Sequence, residues 1–293
     1  MMFFLKILIG MIVFIITELF ISQGAWAWGP AIHTVISCTI LERIDQILPA
    51  IASMINSYSL QFIYGSMAAD FFIGRGTKKK DGHSHNWDTG FRLLKESRDE
   101  REASYAYGFL SHLAADVVAH NYFVPDLINR LSMWRKIGHI YSEAVADKFV
   151  GPLYMRIARD ILSMDQLSFD KMLKSVVRKS GRGLTTKRHL FTQSVKISDY
   201  LYCLPTTYLS NNNQKYKISS EYLVFMIELS YRLVKDLLSY PDSSPCLSHD
   251  PIGSNNLRIA GKGMVMSKLL NNRQPDRQFP VDPELLELLE DNE

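Results

Sequence analysis

Cysteine is scarce in this chain. Its three cysteines, Cys38, Cys203 and Cys246, lie far apart and form no CxxC, which argues against a cysteine zinc site. Cys38 falls in an apolar helical stretch and reads as buried; a Cys203–Cys246 disulfide stays open. Charge of one sign is scarce too. The 33 Lys and Arg against 30 Asp and Glu leave a net +3, too little to imply nucleic acid or an anionic membrane as an obligate partner. The basic runs Arg75–Lys80 and Arg178–Arg188 read as solvated loops, and no protein partner is implied. The sequence shows no alternating polar and apolar pattern for a sheet and no internal repeat. It also lacks the Glu-x-x-His pairs of an oxygen-activating di-iron bundle, and nothing supports a haem or Rossmann-type cofactor.

What is present is ordinary globular material. The chain is 47% hydrophobic and 22% charged over 293 residues, which excludes general disorder and is ample for a core. Residues 1–27 read as a secretory signal peptide. Lys6 supplies the positive region, an apolar run follows from Ile7 to Ile16, and Ala25-Trp26-Ala27 is an A-x-A cleavage site. The alternative is an uncleaved anchor, but the apolar run is short for a bilayer span and Glu18 sits badly in one. Cleavage after Ala27 predicts export, periplasmic or secreted. It also creates a free α-amine at Trp28, with an ordinary pKa near 8, available to a metal together with the Trp28 carbonyl.

The remaining pattern predicts an all-α fold. Helices are expected over Ala31–Leu48, stopped by Pro49, and from Thr89. A strong one covers Glu102–His120, with Pro125 bending or ending the chain soon after. A further helix runs from Trp134 to Lys148 and is broken at Gly151-Pro152. Leu153–Val176, Thr192–Leu201 and Ile218–Leu238 look helical, Ser243–Asn255 looks like a loop, and 276–293 reads as an acidic, Pro-marked tail. Small residues at Gly65-Ser66-Met67-Ala68-Ala69 allow close backbone approach just before Asp70.

The chemistry lies in His112-x3-Asp116-x3-His120 and His139-x3-Glu143. At about 100° per residue, positions i, i+4 and i+8 of a helix share one face. Imidazole and carboxylate donors converging from two helices are what a hydrolytic zinc centre needs. His33 and Asp70 join as candidates. So does one histidine of the polar turn Asp81–Asp88, with His85 preferred and His83 in reserve. Phe71, Phe72, Trp87, Tyr105 and Tyr122 flank ligand positions; core packing is the plain reading, a substrate-binding wall at Phe71 and Trp87 the sharper one. His189 and His249 have no partner at ligand spacing and read as surface histidines.

Taken in order, Trp28, His33, Asp70, His85, His112, Asp116, His120, His139 and Glu143 resemble the ligand set of the zinc-dependent phospholipase C family, a superfamily shared with fungal-type single-strand nucleases. The resemblance is strongest over 28–149 and implies a single helical domain over 28–275, with three zinc ions at the base of a cleft. One zinc would take Asp70, His85, His112 and Asp116. A second would share Asp116 with His33 and the Trp28 amine and carbonyl. The third would take His120, His139 and Glu143. Asp70 would double as a catalytic proton acceptor. The implied reaction cleaves phospholipid at a membrane surface to diacylglycerol and a phosphorylated headgroup, through a zinc-activated hydroxide. A nuclease or other phosphodiesterase on the same centre, and a non-catalytic metal-stabilised exported protein, are the alternatives. The chain departs from the family pattern twice. Asp116 and His120 are four residues apart where well-known members have six, and Gly29-Pro30-Ala31-Ile32 has no carboxylate where choline-specific members carry one.

Overall fold

The computed structural model describes residues 28–71, 83–131, 135–177, 184–202, 218–270 and 279–290. The expected signal peptide, Phe72 and Cys203 lie outside these, as do the side chains of 130–140. The described residues are helical throughout, without a strand. In chain order the helices are α1 (Pro30–Glu42), α2 (Pro49–Ser57), α3 (Ser59–Ala68), α4 (Trp87–Lys95), α5 (Glu100–Val118), α6 (Val124–Leu131) and α7 (Arg135–Val150). There follow α8 (Pro152–Ser163), α9 (Leu167–Val176), α10 (Leu184–Tyr202), α11 (Ser220–Ser239), α12 (Ser254–Leu270) and α13 (Pro283–Glu290). None of the described helices is long and apolar enough to cross a membrane.

Helix α5 is the axis of the molecule. Its N-terminus is closed by Asp99, whose carboxylate accepts from the Glu102 N–H at 2.8 Å, while Glu102 accepts from the Arg98 N–H at 2.9 Å. The Asp99 bond satisfies a first-turn donor that a helix otherwise leaves open, and the Glu102 bond fixes the residue that leads into the cap. From Phe109 to Val118 the helix is buried without a break, and α1, α2, α3, α4 and α11 all pack on it. The α3–α5 crossing is unusually close. A Cβ on Gly65 would lie 2.1 Å from the Tyr105 carbonyl oxygen, and one on Gly108 would lie 2.0 Å from that of Phe62. Only glycine permits backbones to approach so nearly, so the two residues, one on each helix, together fix the depth of the contact.

Helix α1 starts at Pro30, in the first turn where a missing N–H costs nothing. Its N-cap, Gly29, has no side chain to close the turn. Asp147, on α7, does so instead: its carboxylate accepts the Ile32 N–H at 3.1 Å and also takes the Ala31 N–H. Gly29 makes room for it, since a Cβ there would fall 2.2 Å from an Asp147 oxygen. Burial pushes the Asp147 carboxyl up to about 7, against the pull of those two amides. Asp147 therefore ties the first helix to the seventh.

Several sequence expectations are revised. The helix expected over Ala31–Leu48 ends at Glu42 and gives way to a 3-10 turn at Ile44–Gln46, and Pro49 begins α2 and does not end α1. Pro125 does not end the helical path. The chain widens into a π-turn at Ala119–Phe123 and continues as α6, with Pro125 in its first turn. The 276–293 stretch, expected as a tail, holds α13, which packs on α11 with Leu285 fully buried. The 243–255 loop contains a 3-10 turn at Pro245–Ser248, and α12 follows it. Cys246 is a buried free thiol in contact with Ser244 Oγ at 3.2 Å.

Replacing Asp147 by Ala leaves two buried amides without an acceptor. We expect a loss of about 2–3 kcal/mol in chemical denaturation. Asp147→Asn keeps an acceptor of the same size and should lose less than about 1 kcal/mol.

Candidate metal centre

The crossing of α3 and α5 sets the first candidate donor. It brings the Ser66 carbonyl within 2.8 Å of His112 Nδ1. A carbonyl only accepts, so Nδ1 carries a proton, and Nε2 is the nitrogen left to offer a lone pair to a cation. One turn further along α5, Asp116 points the same way. Its Oδ2 lies 3.2 Å from His112 Nε2, 3.4 Å from His85 Nε2 and 3.5 Å from His120 Nε2. Its Oδ1 lies 3.5 Å from His33 Nε2. Asp116 thus turns Oδ2 toward three imidazoles and Oδ1 toward a fourth, the disposition of a bridging ligand.

His85 arrives from the turn before α4. Asn86 caps that helix through the Asp88 N–H, and Thr89 Oγ1 donates to the His83 carbonyl at 2.7 Å. His83 Nδ1 accepts the main-chain N–H of His85 at 3.1 Å. His83 is therefore committed to shaping the turn, and His85 is the residue the turn delivers inward. Its Nε2 sits 3.2 Å from Asp70 Oδ1 and 3.1 Å from His112 Nε2. Asp70 is presented by the 3-10 turn Ala69–Phe71 that ends α3. His33, on α1, stacks on His112 with ring centroids 4.0 Å apart.

All these side chains are at most 5% exposed. His33, Asp70 and His112 form one group whose donor atoms lie within 4.8 Å of one another; His85, His112 and Asp116 form another. His33 Nε2, Asp70 Oδ1 and Asp116 Oδ1 are buried with no hydrogen bond. Buried polar atoms without partners are costly, and here they converge with lone pairs facing one another. Nitrogen and oxygen donors in this mixture suit zinc, so the residues fit the group.

The electrostatics follow from the same contacts. Burial acts to raise the Asp116 carboxyl, but His112 and His120 hold it well below the usual carboxylate range. Burial depresses His85, yet Asp116 and Asp70 outweigh it and push the imidazole up to about 9. His112 is raised in the same way, by Asp116 and Asp70 against burial. His33 is lowered by burial and by His112. His83 is lowered to about 4, mostly by burial and then by His85, which keeps it neutral in its turn-shaping role.

The other candidates are placed as follows. The Trp28 indole is fully buried, donating to the Ala115 carbonyl at 3.2 Å and Ser230 Oγ at 3.0 Å, and stacking on Phe123 at 4.7 Å. It lies under the residue next to Asp116; its amine exists only once the chain is cut after Ala27, a step outside the described residues. His139 and Glu143 lie on α7. The His139 side chain is not described, and Glu143 is half-buried and engaged. Phe71 is not a cleft wall: it is fully buried, 5.4 Å from the Tyr64 ring and 5.3 Å from that of Phe191. Tyr105 is likewise core. His189 is exposed.

Trp87 does line a space. A cavity of about 290 Å³ opens beside His85 and His83, with Asn86, Trp87 and Asp88 on one side and residues 247–252 on the other. Trp87 Nε1 ties the two walls by donating to the His249 carbonyl at 2.9 Å. His249 is therefore no ordinary surface histidine, and its Nε2 is buried with no hydrogen bond. Sequence reasoning also passed over Asp147 and Asn121. Asp147 continues the four-residue series of His139 and Glu143, a signal that was available.

A family model described as zinc dependent phospholipase C matches residues 32–188, more than half of the chain. No curated protein and no solved structure matches.

In the metal-free protein His85 keeps its proton until about pH 9, and zinc must displace it. Zinc titrations should therefore show affinity rising about tenfold per pH unit between pH 7 and 9, then levelling. The ion pairs of protonated His85 stabilise the metal-free fold fully below about 6.5, and that contribution is lost as pH rises through about 9. Thermal unfolding of chelated protein checks the sign.

Proposed function

The chain belongs to the zinc-dependent phospholipase C family, and from that premise we propose that it hydrolyses phospholipid to diacylglycerol and a phosphorylated headgroup at a multi-zinc centre. The observation that carries this reading is the approach of His112 Nε2 and His85 Nε2 to 3.1 Å around the Asp116 carboxylate, with Ser66 holding the proton of His112 on the far nitrogen. In our reading Asp70, His85, His112 and Asp116 would hold one zinc, Asp116 would be shared with a second held by His33 and the Trp28 amine and carbonyl, and His120 would serve a third with His139 and Glu143. When bound, zinc would supply Lewis-acid charge and lower the pKa of its water to about 7.

The protein groups supply position and proton traffic. The two carboxylate oxygens of Asp116 fix the spacing across which an anionic phosphodiester is held. Asp70 Oδ1, which faces His85 Nε2 at 3.2 Å, would take the proton of the attacking water as oxygen bonds to phosphorus in line. The bond from phosphorus to the glycerol oxygen breaks, and that oxygen recovers a proton to leave as diacylglycerol. The cavity beside His85 admits the polar end of the lipid, with Trp87 on its wall. The substrate is met at a membrane surface, outside the cytoplasm, after cleavage between Ala27 and Trp28.

The zinc-loaded protein, assayed with phosphatidylcholine, phosphatidylethanolamine and single-stranded DNA, should cleave lipid and stop when a chelator is added. Cleavage of DNA but not lipid would replace this reading with a nuclease on the same residues. Activity that survives chelation would remove the metal from the mechanism. Among variants, His112→Ala and Asp116→Ala should lose zinc and at least about 100-fold in rate, whereas His189→Ala keeps both. Mass spectrometry of the exported protein should find Trp28 as its first residue; any other start removes the amine ligand.

A further inference from the structure

The span matched by the family model ends at residue 188, yet the turn that carries His120 is gripped from far beyond it. Pro125 has no N–H, so the Asn121 carbonyl, four residues earlier, lacks its α-helical donor. The Asn256 side-chain amide donates to that carbonyl instead, at 2.8 Å. The Asn121 side-chain amide donates in turn to the carbonyls of Val117 and Asp250, both at 2.9 Å. Gly253, at φ 59°, is seated on His120 itself. A Cβ there would lie 2.2 Å from the His120 carbonyl oxygen and 2.8 Å from its Cβ. Asp250 keeps the segment folded, its carboxylate accepting the N–H groups of Ile252 at 3.1 Å and Ser254 at 3.2 Å.

We propose that the segment Asp250–Asn256 is a positioning element for His120, with Asn256 and Gly253 as its working residues. The inference rests on the reading of His120 as a zinc ligand. A π-turn has poorer intrinsic support than an α-helix and occurs mostly where function requires it. Ligand distances tolerate only about 0.2 Å of error, so a turn left to drift would carry His120 Nε2 off its aim at Asp116. The grip from Asn256 replaces the hydrogen bond that Pro125 cannot make. Gly253 lets the segment close on the His120 backbone, where any other residue would push it away.

The test uses the full chain loaded with zinc. Zinc content is followed by elemental analysis during dialysis against graded chelator, and the visible spectrum of the cobalt-substituted protein reports ligand geometry. Asn256→Asp keeps size and removes the donor; Asn256→Ala removes both. Asn255→Ala is the control, an exposed neighbour whose side chain accepts from Arg258 at 2.9 Å. Both Asn256 variants should release one class of zinc at about 10–100-fold lower chelator and alter the cobalt spectrum, while Asn255→Ala matches the parent. Gly253→Ala should do the same more severely. If the Asn256 variants lower the unfolding midpoint of the metal-free protein but keep their zinc and their spectrum, the contact is structural only and the inference falls. If the parent protein takes up no zinc, the zinc reading falls and carries this one with it; a zinc-holding parent with indifferent variants sinks this one alone.

Discussion

The crossing of two glycines governs the centre. Gly65 and Gly108 let α3 and α5 approach until each Cα lies against the other helix's carbonyl. At that depth Ser66 O reaches His112 Nδ1. The tautomer of His112 is thereby set, and its Nε2 lone pair is turned toward Asp116 and His85. Move the helices apart by the width of a methyl group and the carbonyl loses the ring. Either nitrogen could then carry the proton, and the ligand would no longer be pre-organised. A backbone packing choice thus becomes a statement about which atom can bind a cation. Asp70 depends on the same contact, because it emerges from the end of α3 as α3 leaves α5.

Around that contact the fold gathers groups that do not belong together without a cation. Two carboxylates and four imidazoles sit in a space sealed from solvent. Protonated histidines beside Asp116 and Asp70 relieve part of the cost, which is why His85 and His112 are raised while Asp116 is depressed. The relief is incomplete: His33 is driven the other way, and buried nitrogen and oxygen atoms keep no hydrogen bond. A core of equal volume built from apolar side chains would avoid these penalties. Retaining the ionisable set is intelligible if divalent ions take the place of the protons.

Much of this was legible in the sequence because helical periodicity converts spacing into direction. His112 and Asp116 at a four-residue interval are forced onto one face, and the burial of that face follows from its apolar flanks. The preference for His85 over His83 was reachable, but its physical basis, His83 capping the His85 amide, lies in turn geometry that no spacing reveals. The π-turn was hidden for a related reason. Pro125 signals disruption but not its form, and the helix absorbed it by widening one turn. That widening bears on the short Asp116–His120 interval. With four residues in place of six, His120 must be re-aimed by the backbone, and the π-turn is where the backbone changes pitch. For Phe71 the plain reading, core packing, prevails over a substrate-binding wall, because an aromatic beside a ligand position suits either and only its neighbours Tyr64 and Phe191 decide. Asn121 and His249 act through contacts more than a hundred residues away in sequence, where local pattern carries no information; Asp147 shares the spacing of His139 and Glu143, but its partner on α1 lies equally far off.

Those distant contacts also bear on where the functional unit ends. Trp28 is held by Ser230, Trp87 by His249, and Asn121 by Asp250 and Asn256. Each pairs a residue at or beside the centre with one beyond the family-matched span. The candidate donors come from the N-terminal half, while residues of the C-terminal half pack beside them and supply one wall of the adjoining cavity. Such a division lets one part keep donor geometry fixed while the other is free to vary the space a substrate enters. It also means that a fragment ending near residue 188 would keep most of the donors of this centre and lose what holds Trp28, the π-turn and the far cavity wall. The ligand set alone is therefore not the site. The site is that set together with the loop that closes on it, and substrate selection is expected to reside in the half of the contact that ligand spacing does not constrain.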